Sequence, residues 1–241
     1  MRIPISIGFG SDFLLPKNKI GVIKAGMKRP GSDSHLRELI CELLRLFYQK
    51  GWVSGTGGGI CAAFGSNTVL TAPTGVHKER VKPSDLFVVD SQNGKVVHAP
   101  KDRSLRISEC SPIFCAILRQ RGAGSVMHSH ALSAVLAADL AGNSDRVIFE
   151  SLEMLKGLSG STNLDKHPVP VIYNTVREPE LESQMRDVMG QPDFKNSHAI
   201  LVRDHGAYIW GQDVWETKRH AEVYHFLFEA TVARAQRHSK K

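Results

Sequence analysis

The chain has 241 residues, 41% of them hydrophobic and 23% charged, which is enough to bury a full core in one large domain, and no apolar run has the length of a membrane span. Its net charge of +7 would suit a nucleic-acid binder, but the excess of positive charge resides at residues 1–34 and 234–241, and no basic face interleaved with aromatics appears between them. Neither nucleic acid nor membrane is expected as a partner, and Cys41, Cys61, Cys110 and Cys115, with no C-x-x-C pair, point to free thiols in a reducing compartment, the cytosol by default.

Residues 1–33 carry glycines and prolines with little periodicity and are expected to form a loosely ordered or draped extension. The domain proper, residues 34–237, opens with a helix. Ser34 can cap it, Leu36, Leu39, Ile40, Leu43, Leu44 and Phe47 follow its apolar stripe, and Gly51 ends it. A glycine-rich turn, Thr56-Gly57-Gly58-Gly59, then leads into a hairpin with Thr68–Ala72. Its backbone N–H groups can cradle a phosphate, and a plain tight turn fits the same residues. No Lys-Ser/Thr follows the glycines and no Rossmann crossover comes after them, which disfavours ATP and NAD. Thr74-Gly75, with cations just beyond, is a second wall for the same anion or a solvated loop. Asn93-Gly94 marks a hairpin between 86–90 and 95–98.

A helix is expected from about Ser108 to Arg121, with Pro112 in its first turn. Its N-terminus would favour phosphate and would lower the pKa of Cys110 if that thiol is partly exposed; a buried, inert Cys110 is the alternative. Next comes Gly124-Ser125-Val126-Met127-His128-Ser129-His130. On a strand, alternate side chains share a face, so His128 and His130 can present two imidazoles to one ion. A second apolar strand turns at Asp204-His205-Gly206. Three histidines with an open position suit a catalytic Zn²⁺ or a similar ion.

Between these strands a short helix is expected at 132–140. Glu150 and Glu153 would share a face if 146–158 is helical, as an active-site base or as a solvated pair. A strand follows at 169–173 and a polar amphipathic helix at 178–189. A capping box at Asp213–Glu216 opens a long helix to about Arg237, with His220 and His225 as structural residues, and 238–241 form a basic tail.

The order of the glycine turn, Ala-Pro-Thr-Gly, Ser-Glu-Cys-Ser-Pro, Gly-Ala-Gly-x-x-x-His-x-His, Leu-Glu-Met-Leu-Lys-Gly and Arg-Asp-His-Gly-x-Tyr-x-Trp-Gly resembles the class II aldolase/adducin family over roughly residues 35–233. The likeness is to its dehydratase branch. The resemblance implies an α/β/α sandwich around a mostly antiparallel sheet, assembled as a homotetramer with active sites near subunit interfaces. It implies a lyase of methionine salvage, a route of amino-acid biosynthesis, that dehydrates the sugar phosphate 5-methylthioribulose 1-phosphate. It also implies one Zn²⁺ per subunit on His128, His130 and His205, an acid/base at Glu153, and a substrate-contacting thiol at Cys110. Phosphate contacts would come from Gly57, Gly58, Thr74, Gly75 and Ser108. A partner role in cell-death regulation follows from the resemblance alone. Two alternatives stay open: a class II ketose-1-phosphate aldolase with Glu109, nineteen residues before His128, as acid/base, and a non-enzymatic adducin-like binding module.

Overall fold

Runs of β-branched and aromatic residues alternate along this chain with helical stripes, and they assemble into one sheet coated on both faces. The computed structural model describes residues 33–238; the expected extension over 1–32 and residues 239–241 of the tail lie outside them. In chain order the elements are α1 (Asp33–Gln49), β1 (Gly59–Phe64), β2 (Thr68–Thr71), β3 (Phe87–Asp90), β4 (Val96–His98), α2 (Ser111–Arg121), β5 (Ser125–Ser129) and α3 (Leu132–Asp139). There follow β6 (Arg146–Phe149), β7 (His167–Ile172), α4 (Leu181–Met189), β8 (Ala199–Val202), β9 (Gly206–Gly211) and α5 (Val214–His238).

The nine strands form one sheet in the order β4-β3-β2-β1-β5-β9-β8-β7-β6. Every pair is antiparallel except β7 with β8. The expected α/β/α sandwich around a mostly antiparallel sheet is what the chain forms. Strand alternation sorts the side chains into two cores. Ile60, Leu70, Met127, Leu201 and Ile209 face α1, α3 and α5, whereas Cys61, Val69, Val126, Ile200 and Tyr208 face α2 and α4. All four cysteines are free and buried.

The helix starts keep some of their sequence signals and depart from others: Ser34 lies inside α1 and does not cap it, and α2 begins at Ser111, not at Ser108. The first helix begins one residue before Ser34, where Asp33 pairs with Arg37 at 2.8 Å. At the start of α5 the Asp213 carboxylate accepts from the Glu216 N–H at 2.8 Å, and the Glu216 carboxylate accepts from the Gln212 N–H at 2.7 Å. Residues 146–158 are not helical. Val147 and Phe149 are buried and Ile148 is exposed, the alternation of a strand, and β6 pairs with β7 through Val147 and Val169. Ser151, in a left-handed conformation at φ 56°, ends the strand, and Glu153–Gly157 form a short 3-10 turn. Glu150 and Glu153 therefore share no helical face. The expected helix at 178–189 begins only at Leu181, after a 3-10 turn over Glu178–Glu180.

Candidate active site

The site lies at the middle of the sheet, where β5 pairs with both β1 and β9. His128 is fully buried on β5 opposite Tyr208 of β9, and the two rings stack at 4.0 Å. His130 follows the strand end, on the same face as His128. His205 sits in the β8–β9 turn, between Asp204 at φ 53° and Gly206 at φ 155°. A Cβ on Gly206 would lie 1.9 Å from the Ser129 carbonyl oxygen, so only glycine lets this turn close onto β5.

The three imidazoles meet through Nε2. The separations are 2.8 Å between His128 and His130, 3.1 Å between His128 and His205, and 3.1 Å between His130 and His205. What faces the outer nitrogens decides their chemistry. His128 Nδ1 lies 3.2 Å from the Ala207 carbonyl oxygen, and His205 Nδ1 lies 3.0 Å from Asn174 Oδ1. Both oxygens can only accept, so each Nδ1 carries the proton and each Nε2 turns a lone pair inward. Burial, followed by the neighbouring imidazoles, pulls His130 down to about 3, and burial with His128 pulls His205 down to about 4. Both are neutral at physiological pH, the form in which a histidine binds a metal.

A carboxylate completes the group. Glu178 Oε1 lies 2.9 Å from His128 Nε2 and accepts hydrogen bonds from Tyr208 Oη at 2.5 Å and Cys110 Sγ at 3.1 Å. Burial raises its pKa, but the hydrogen bonds it accepts from Tyr208 and Cys110 act against burial and favour the ionised carboxylate. One ligand atom from each of His128, His130, Glu178 and His205 lies within 4.8 Å of all the others. Inward lone pairs and an ionised carboxylate suit a divalent cation of the borderline kind, and this donor set fits one.

The remaining residues singled out in the sequence fall into three places. The glycine turn packs directly against the histidines: a Cβ on Gly57 would lie 2.3 Å from His130 Nδ1, and one on Gly58 would lie 2.7 Å from the His128 carbonyl oxygen. These glycines are thus required for close approach to the imidazoles, a demand the phosphate reading of the turn did not contain. Thr74 bridges to Arg106 through its N–H at 3.0 Å, which brings the Thr74-Gly75 loop beside the entry to α2. There Ser108 Oγ accepts from the Cys110 N–H at 3.3 Å. Cys110 is 5% exposed, and burial followed by the Glu178 charge pushes its thiol well up, so the expected lowering by the helix end does not occur. Glu153 stands apart from the cluster, its side chain 70% exposed and paired with Lys156 at 2.6 Å. Glu109 is also exposed and is not among the cluster ligands.

The sequence reading passed over Glu178, Asn174 and Tyr208. Tyr208 lies inside the Arg-Asp-His-Gly-x-Tyr motif, three residues past His205, so a motif signal existed for it. Nothing in the spacing of Asn174 or Glu178 distinguishes them from the polar residues around them.

Residues 38–232 match the family model described as "Class II Aldolase and Adducin N-terminal domain". The chain belongs to this family. Among its relatives it is 39% identical over 208 residues to the methylthioribulose-1-phosphate dehydratase of Gallus gallus, covering 84% of each chain. It is 41% identical over 210 residues to that of Aquarana catesbeiana, covering 84% of this chain and 85% of the relative. Among solved structures, an L-fuculose 1-phosphate aldolase superposes with a TM-score of 0.68 at 20% identity, over 85% of this chain and 88% of that one. A sugar-phosphate aldolase from Thermotoga maritima superposes with a TM-score of 0.59 at 16% identity, over 84% and 96%. At such identities these two structures show the shared fold. No helix among the described residues is long and apolar enough to cross a membrane.

Proposed function

We propose that the protein is a zinc-dependent hydro-lyase that converts 5-methylthioribulose 1-phosphate into 5-methylthio-2,3-dioxopentyl phosphate in methionine salvage, as a cytoplasmic homotetramer. The observation that carries this reading is the convergence of three imidazole Nε2 atoms at a buried strand end, in a chain about 40% identical to relatives named for that dehydration. His128, His130 and His205 would hold the ion, which would supply Lewis acidity and so acidify the C–H next to the substrate's carbonyl.

The chain's own residues do the rest. Glu153 takes the C3 proton and returns it to the hydroxide that leaves C4, so the elements of water are lost and the resulting enol relaxes to the 2,3-diketone. Its carboxylate is 70% exposed, on a turn pinned by buried Leu152 and Leu155, so it is open to solvent for proton exchange. Cys110 contacts the substrate, and Gly57, Gly58, Thr74, Gly75 and Ser108 receive its phosphate. One observation favours a second reading of the proton carrier: Glu178, not Glu153, stands 2.9 Å from His128.

The test incubates the protein with 5-methylthioribulose 1-phosphate and, separately, with L-fuculose 1-phosphate. Diketone from the first supports the dehydratase; dihydroxyacetone phosphate from the second supports an aldolase, and no turnover with either supports a binding module. Glu153→Gln is expected to abolish turnover with metal content unchanged. Normal turnover in that variant, together with its loss in Glu178→Gln, would move the proton-transfer role to Glu178.

A further inference from the structure

Lys78 is 3% exposed, an unusual position for a lysine. Its Nζ donates to the Thr56 carbonyl at 2.6 Å and to the Val76 carbonyl at 3.2 Å. Thr56 opens the glycine turn whose Gly57 backs onto His130, and Val76 closes the Thr74-Gly75 loop. One ammonium thus ties together the two segments that face the candidate anion site. A carbonyl dipole solvates a cation but does not neutralise it, and among the described residues Lys78 has no ion-pair partner. Glu178, the nearby cluster carboxylate, is already engaged by His128, Tyr208 and Cys110. A buried charge without a counter-charge is costly, and folds keep one where a ligand of opposite sign repays it. Burial pulls the ammonium pKa down, while the carboxylates of Glu178 and Glu79 push it back up, so its charge is felt across the site. It acts in turn on His130.

We infer that Lys78 is a positioning residue for the anionic end of the substrate: from behind the glycine turn and the Thr74-Gly75 loop it holds both in register and lends them a positive charge that no direct ion pair among the described residues neutralises. The inference rests on the reading of the site as one for a sugar phosphate. In such a substrate the phosphate-bearing carbon is bonded to the carbonyl carbon, so the phosphate must settle beside the histidine cluster, where these two loops are. Low-dielectric surroundings let the charge act without contact.

The test uses metal-loaded protein and inorganic phosphate as probe, with Lys78→Met to remove the charge and Lys78→Arg to restore it. Lys78→Met is expected to keep its metal stoichiometry, to bind phosphate about tenfold more weakly, and to show a KM raised by about the same factor with kcat nearly unchanged. Lys78→Arg is expected to recover most of the phosphate affinity. Phosphate binding unchanged in Lys78→Met, or no better in Lys78→Arg than in Lys78→Met, would overturn the inference. So would loss of metal and fold in both variants, which would make Lys78 a plain structural clamp. Phosphate binding is read without turnover, so a protein that binds phosphate through Lys78 yet forms no diketone sinks the activity reading alone.

Discussion

Two groups of three histidines lie in this domain, and they differ in where their nitrogens point. In the first, His128, His130 and His205 turn Nε2 toward one another within 3.1 Å. In the second, His167, His198 and His220 lie together near Tyr224, with the His198 and His220 rings 4.4 Å apart. Each ring there is satisfied by a group that is not a histidine. His167 Nε2 meets Tyr224 Oη at 2.9 Å, His220 Nδ1 meets the Trp210 carbonyl at 2.7 Å, and His198 Nε2 meets the Ser159 carbonyl at 3.3 Å. Proximity of imidazoles therefore does not make a metal site. Inward lone pairs suit one, and the outer partners Ala207 and Asn174 impose them on His128 and His205 of the first group.

The sharpest break of this contrast is His205→Ala, which is expected to remove bound metal and to lower diketone formation by about a thousandfold or more, read by metal analysis and a product assay on one preparation. Activity without metal would detach the chemistry from the cluster. Asn174→Ala should act more gently: it frees His205 Nδ1 from its partner and weakens metal affinity about 10–100-fold, measured by competition with a chelator, with secondary structure unchanged. His167→Leu should do the reverse and leave metal content untouched. It deprives Tyr224 of one partner and costs about 1–3 kcal/mol of stability in denaturant unfolding.

The last effect is a slope, confined to acid pH. Burial, followed by His198, pulls His167 down to about 4 from its ordinary 6.5. Between those values the unfolded chain takes up a proton that the folded chain refuses. Stability is therefore whole above pH 6.5 and falls as the pH drops toward 4, by about 1.4 kcal/mol per pH unit for this residue. His167→Leu should flatten the stability profile by about that amount over this window. An unchanged slope would mean that His167 is not held neutral by the fold.

Much of this contrast was legible in the order of residues. His128 and His130 share a face because a strand has a period of two, and both hairpins and the long C-terminal helix were marked by turn glycines and a capping box. What escaped the sequence depends on distant packing. Glu178 reaches His128 only because the chain leaving β7 passes over the face that carries Tyr208, and no local period encodes that. Gly57 and Gly58 were read for what their N–H groups can bind, whereas the fold needs them for their missing side chains, a demand visible only once His130 lies against them. Residues 146–149 do not declare their period in sequence: four residues are too few to tell a helix from a strand, and pairing with β7 decides.

The place of β9 in the sheet has a consequence for how the protein is made. It lies between β5 and β8, although His205 at its start follows His128 by 77 residues. On the ribosome, β5 emerges with its two histidines while the strand destined to cover its open edge is still untranslated, and that edge is exposed to wrong pairing for as long. The last ligand reaches the cluster only when nearly the whole domain has been synthesised, so metal capture is a late event in the life of the nascent chain.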